Sequence, residues 1–143
     1  MSTTLYRDAI ARYARSDWAS VDVRCLRLDP GSTYVFDATH QYVDDLSPGG
    51  NEFAGANYAR VAVAATAPTW FVGGAWRFLL DTPVFPSLGT AEVITEAVFY
   101  EHVTDDSDSL LISYHSFTGA TLDGTDFTVN LPSGGYLFGA TSS

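Results

Sequence analysis

Apolar and polar residues alternate along much of this chain with the two-residue period of a half-buried strand. The longest such run is Glu92 to His102, with Val93, Thr95, Ala97 and Phe99 on one parity and Ile94, Glu96, Val98 and Tyr100 on the other. The acidic stretch Thr104-Asp105-Asp106-Ser107-Asp108-Ser109 turns it into Leu110 to His115, which predicts an antiparallel partner. Val21, Val23 and Cys25 alternate with Asp22 and Arg24 before Leu26 and Leu28 shift the apolar set to the other parity. Either a bulge or a strand buried on both faces accounts for that shift.

Further β-prone runs are Thr33 to Phe36, Tyr58 to Val63, and the pair Thr69 to Val72 and Ala75 to Leu80, which flank a Gly73-Gly74 hairpin turn. Pro83 and Pro86 break the chain; Thr118-Gly119 to Gly124 reads as a connection, followed by strands at Phe127 to Leu131 and Tyr136 to Phe138. Residues 4 to 15 have a helical spacing instead, with Tyr6, Ile10, Tyr13 and Ala14 on one face and Thr3 or Thr4 placed to cap it. The pattern predicts a mainly β, single-domain chain over 1–143, an antiparallel sandwich or barrel of seven or eight strands with a short N-terminal helix inside residues 1–17.

Length agrees, because 143 residues suit one core without metal or disulfide support. The one cysteine, Cys25, excludes intrachain disulfides and cysteine-rich zinc sites, and in its apolar run it reads as a small buried hydrophobe. No run reaches the ~18 apolar residues of a membrane span, and the N-terminus lacks the apolar core of a signal peptide, so a soluble protein made in the cytoplasm is expected. All seven basic residues are arginine, which removes the phosphate-loop lysine and every Schiff-base mechanism. The net charge of −10 divides unevenly: residues 1 to 27 hold five arginines against three acids, the remainder two against fourteen. Such a body repels nucleic acid.

Candidate chemistry is thin. His40, His102 and His115 lack the close spacing of a local metal motif, although the hairpin could place His102 opposite His115. Asp105, Asp106 and Asp108, with Ser107 and Ser109, offer oxygen ligands but not the order of a calcium loop, and they read as a solvated turn, as do Asp123 and Asp126. Adjacent Asp44 and Asp45 point to opposite sides of an extended chain, unlike paired catalytic carboxylates. No catalytic residue, cofactor or metal is therefore expected. Arg60, among small apolar residues, requires a partner; a pair with Asp44 or Asp45 would fasten the long loop to the sheet, and a neighbouring subunit is the alternative. Trp18, Trp70, Trp76, Phe71, Phe85 and Phe99 are core or, on an open face, a carbohydrate platform.

His40, Tyr42 and Asp45, then Gly55, Tyr58 and Arg60 leading into a strand, resemble a pattern of small tailed-bacteriophage structural proteins. Asp17-Trp18 after the helical segment, a strand like Val21 to Asp29, one like Ala97 to Tyr100 and a C-terminal Gly-Gly strand extend the resemblance, from which the tract Ala65 to Pro86 departs. The resemblance implies a non-enzymatic virion component: a capsid decoration (cement) protein on the assembled head, or a tail or fibre-attachment part. A carbohydrate-binding β-sandwich module is the reading from another class. Partners would be the major capsid protein or other virion subunits, on a homotrimer or homodimer, with no nucleic acid or membrane. Tyr6, Arg7, Ile10, Arg12, Tyr13, Arg15 and Trp18 are the candidate interface, as a helix laid into a groove; covering an open end of the chain's own domain is the equal alternative.

Overall fold

A computed structural model describes residues 2–7, 9, 20–71, 75–86, 90–130 and 136–139. In chain order its strands are β1 (Ser2–Leu5), β2 (Val23–Arg27), β3 (Val61–Val63), β4 (Ala65–Phe71), β5 (Ala75–Leu80), β6 (Val84–Phe85), β7 (Thr90–Glu101), β8 (Leu110–Asp123), β9 (Phe127–Thr128) and β10 (Tyr136–Gly139). They form a five-stranded sheet ordered β1-β8-β7-β2-β3, a three-stranded sheet ordered β10-β5-β4 and the pair β6-β9. Every ladder is antiparallel. The protein is mainly β, and the short helical elements described are a 3₁₀ turn at Val43–Leu46 and one α turn at Pro48–Asn51.

The β7–β8 hairpin is the spine. It runs from Glu101 opposite Leu110 to Thr90 opposite Asp123, with irregularities that let so long a ribbon bend. Ala97, Val98, Phe99 and Tyr100 are all fully buried, and so are Cys25, Leu26, Arg27 and Leu28 of the neighbouring strand. Consecutive buried residues mean that both sheet faces are covered there, which resolves the parity shift in Val21 to Leu28 as burial on both sides. β4 and β5 pair from Phe71 opposite Ala75, as the double glycine leads one to expect; residues 72–74 themselves lie outside the described residues.

Four expectations need correction. Ser2–Leu5 is a strand on the edge of the five-stranded sheet, opposite Ser116 to Ser113, so Thr3 and Thr4 pair in a ladder and do not cap a helix. Arg7 and Ala9 are helical, while residues 10–19 lie outside the described residues. A helix this short is marginal alone, and a β-branched Thr-Thr pair beside an open strand edge favours the ladder. Second, Thr33 to Phe36 is extended but outside every ladder; its rings dock instead, with Phe36 at 5.0 Å from Tyr6 and 5.5 Å from Tyr114. Third, Thr118-Gly119 does not end a strand, because β8 continues to Asp123. A Cβ at Gly119 would lie 2.7 Å from Val93 on the facing strand, so the glycine marks close strand approach and not a turn. Fourth, the proline-flanked segment holds β6, and the Pro83 carbonyl accepts the Val129 N–H at 3.0 Å.

Tyr6 shows how far the N-terminus belongs to the domain. It is fully buried, its N–H bonds the Ile112 carbonyl at 3.0 Å, and its hydroxyl meets that of Tyr34 at 3.0 Å. Tyr6→Ala should therefore cost about 3–5 kcal/mol, the range for emptying an aromatic site, whereas exposed Arg7→Ala should stay within about 0.5 kcal/mol. Urea denaturation of the two variants checks the contrast.

Candidate functional site

At one end of the five-stranded sheet three connections meet: the segment 41–46, the segment 52–60, and the β7–β8 loop at 102–109. Backbone bonds begin the assembly, with Val43 N–H to Ser109 O at 2.9 Å, Asp44 N–H to Asp106 O at 3.0 Å and Leu111 N–H to Gln41 O at 2.9 Å. The 41–46 segment is set by Asp45, whose Oδ2 accepts the N–H groups of Gln41 (2.8 Å) and Tyr42 (2.9 Å). Burial pushes the Asp45 carboxyl up, but these two donors outweigh it and hold the group below the usual carboxylate range.

Arg60 closes the assembly. It lies just before β3, in coil, and its guanidinium reaches Glu52 through Nε (2.8 Å) and Nη2 (2.6 Å), and Asp106 through Nη1 and through Nη2 (2.8 Å). Nη1 also lies 3.4 Å from the Tyr100 hydroxyl, and Cζ stands 5.4 Å from the centre of that ring. The side chains of Arg60, Glu52 and Asp106 are only 23%, 15% and 28% exposed, so the pairs are screened less than open surface ones. Hydrogen bonds to Asp106 and then to Glu52 raise the arginine's pKa, and Arg60 holds the Asp106 carboxyl below its ordinary value. Tyr58 adds a second tie, donating to Glu52 Oε1 at 2.7 Å while accepting the Arg27 N–H at 3.1 Å.

The intramolecular pairing expected for Arg60 is thus present, but with different acids. Asp45 is occupied by its own turn, and Asp44 is exposed on an open groove with Asp105, Asp106 and Ser107. Glu52, only 8 positions from Arg60, and Asp106, 46 positions away on the β7–β8 loop, take their place. Sequence reasoning also missed Arg27, which is fully buried with Cζ 3.6 Å over the Phe53 ring and Nη2 donating to Val93 O at 3.1 Å. A signal for it existed: Arg27 falls on the same strand parity as Val23 and Cys25.

The histidines stay apart. His115 sits within β8 opposite Ala97, whereas His102 follows the last residue of β7, so the hairpin does not place them face to face. His102 Nδ1 is 3.4 Å from Ser109 Oγ, and His40 Nδ1 is 3.1 Å from the Tyr34 hydroxyl. In the acidic loop Asp105 Oδ1 accepts from Ser107, Asp108 Oδ1 accepts the N–H groups of Thr104 and Asp105, each at 2.9 Å, and Asp106 binds Arg60. Asp123 similarly accepts the Thr125 N–H at 3.0 Å. Among the described residues no three His, Cys, Asp or Glu side chains gather as a metal site.

Of the candidate interface, Tyr6 is in the chain's own core and therefore not offered to a partner, Arg7 is exposed, and Ile10, Arg12, Tyr13, Arg15 and Trp18 lie outside the described residues. Phe85 and Phe99 are fully buried, which removes both from any open carbohydrate platform. Trp70 and Trp76 are register partners in the β4–β5 ladder. No family model matches the chain, and searches of curated proteins and of solved structures find no match either.

Two measurements test the site. Arg60→Ala strands Glu52 and Asp106 beside each other, and the half-buried setting places the expected loss at about 1–3 kcal/mol, between exposed and fully buried pairs. A midpoint unchanged in urea would contradict the fastening role. His115 is fully buried, and burial pushes its pKa down to about 4. The unfolded chain takes up that proton near pH 6.5, so stability is full above about 6.5 and falls as pH drops toward 4, by about 2–3 kcal/mol at pH 4.5. Comparing urea midpoints at pH 7.5 and 4.5 should show this loss in the wild type and its reduction in His115→Gln.

Proposed function

We propose that this protein is a non-enzymatic structural component of a bacteriophage virion, a decoration protein that binds the assembled capsid lattice as a small homo-oligomer. The observation that carries the reading is what the segment His40 to Arg60 does. Its residues that resemble phage structural proteins act as fasteners, since His40 holds Tyr34, Asp45 ties down its own turn, and Tyr58 and Arg60 converge on Glu52. Gly55 permits close packing, because a Cβ there would run into the Phe53 ring. A pattern of residues that stiffens loops suits a protein that binds by surface shape, because rigid loops lose little freedom when they dock.

The sandwich arrangement belongs to the same proposal. The chain passes from β3 to β4 through Ala64 alone, and Leu80 of β5 shares a core with Phe99 and Ile112 of the larger sheet, which supports the two sheets packing face to face. The acidic body supports a protein partner over nucleic acid, and residues 1 to 27, with their excess of arginine, remain the region best suited to meet acidic virion subunits.

Labelled protein incubated with phage heads that lack it should bind in many copies at symmetric lattice positions, located by low-resolution imaging of the particle. Binding in few copies at one vertex or on the tail would replace the decoration role by a tail role. Binding to a glycan array with no affinity for particles would overturn both.

A further inference from the structure

We propose that residues 32–38 are an open strand edge on which a second copy of this chain pairs antiparallel, about a two-fold axis at Val35. Exposure alternates through Thr33, Tyr34, Val35, Phe36 and Asp37 as it does along a half-buried strand, yet the segment joins no ladder. Tyr34 and Phe36 turn inward, with their rings 5.9 Å and 5.5 Å from that of Tyr114 and the Tyr34 hydroxyl bonded to Tyr6 and His40. Val35 faces out and, at 80% exposure, is the most open large apolar side chain among the described residues. Among those residues nothing donates to the Tyr34 or Phe36 carbonyl or accepts the Phe36 N–H, and the Tyr34 N–H is held locally by Ser32 Oγ at 3.0 Å. The Thr33 N–H, on the other side of the strand, is taken by Asn51 Oδ1 at 3.0 Å.

Unpaired main chain beside an exposed apolar side chain selects another strand, and proteins usually blunt such an edge with charge. This chain's own sequence fits the vacancy. With Val35 opposite its symmetry mate, Tyr34 lies opposite Phe36 and Thr33 opposite Asp37, so no like charges face each other even though each copy carries −10. Each Phe36 N–H then donates to the partner's Tyr34 carbonyl. Exposed Arg7, whose N–H bonds the Ala38 carbonyl at 3.0 Å, comes beside the mate's turn at Asp29 to Ser32, one cation for one acidic turn on each side of the axis. The strand is already fixed by its rings, so pairing costs little further ordering. This pairing names the interface of the homo-oligomer proposed above, yet it needs no capsid, so isolated protein tests it apart from particle binding.

Sedimentation equilibrium of the full-length protein should show a monomer–dimer equilibrium with a dissociation constant on the order of 100 μM, since the junction lies at the low end of interface sizes. Val35→Lys sets two like charges together at the axis and should weaken association at least about tenfold with the urea midpoint unchanged, even though it lowers the overall repulsion between the acidic bodies. Val35→Cys should oxidise to a covalent dimer, because opposed residues of a non-hydrogen-bonded pair stand close enough for a disulfide. Ala54→Cys, also exposed but on another connection, should not, and Cys25 is buried and takes no part. A protein still monomeric at roughly 1 mM, or a dimer that Val35→Lys leaves intact, would overturn the edge pairing.

Discussion

A protein with a net charge of −10 that brings three acid-bearing connections to one end must place a cation among them, and Arg60 is that cation. Without it Glu52 and Asp106 would face each other in a half-buried setting where solvent screens poorly. With it, mutual repulsion becomes a crosslink. An arginine suits this position better than a lysine, because its planar fork can satisfy two carboxylates at once while its face lies near the Tyr100 ring. The backbone bonds between 41–46 and the β7–β8 loop give the node a fixed frame, so loop positions follow from the same sheet that carries the core.

That frame depends on the two-sided burial of β2 and β7. A strand covered on both faces must find a place for any charge it carries, and Arg27 illustrates the cost and its relief. Its guanidinium lies over Phe53 and donates to a carbonyl, and its N–H is met by the Tyr58 hydroxyl. Hence the buried strand and the surface connection 52–60 are organised together: Phe53 and Tyr58, 5.6 Å apart edge to face, serve Arg27 from the same loop that delivers Arg60 to its acids. The two arginines occupy opposite regimes. One is fully enclosed beside a ring and backbone dipoles, the other is half-exposed and satisfied by charge.

Much of the strand content was legible because alternation and turn chemistry agree in β7, β8 and the β4–β5 hairpin. Local signals failed where tertiary partners decided the outcome. Residues 4 to 15 carry a helical stripe, yet β1 forms at their head because β8 offers an edge to pair with. Thr33 to Phe36 has strand composition, yet its rings find Tyr6 and Tyr114 and its backbone joins no ladder. For Arg60 the need for a partner was readable from its apolar neighbours, but the choice was not: Glu52, 8 positions away, was passed over although nearer than Asp45, Asp106 is 46 positions away, and Asp45 had a prior local use in its own turn. Such competition between a local hydrogen bond and a distant ion pair has no signature in spacing.

The same competition explains why carboxylates that read as solvated turns in sequence serve as scaffolding in the fold. Asp45, Asp105, Asp108 and Asp123 each accept backbone N–H groups within a few residues, the usual use of aspartate where a chain reverses. The donors hold Asp45, Asp108 and Asp123 ionised to lower pH than a free carboxyl, for Asp123 chiefly through Thr125. A carboxylate stabilised in its charged form by fixed donors is a poor proton shuttle, since taking up a proton means giving up those bonds. Those donors fix the carboxylates in place, and their negative charge stays at the surface of the turns.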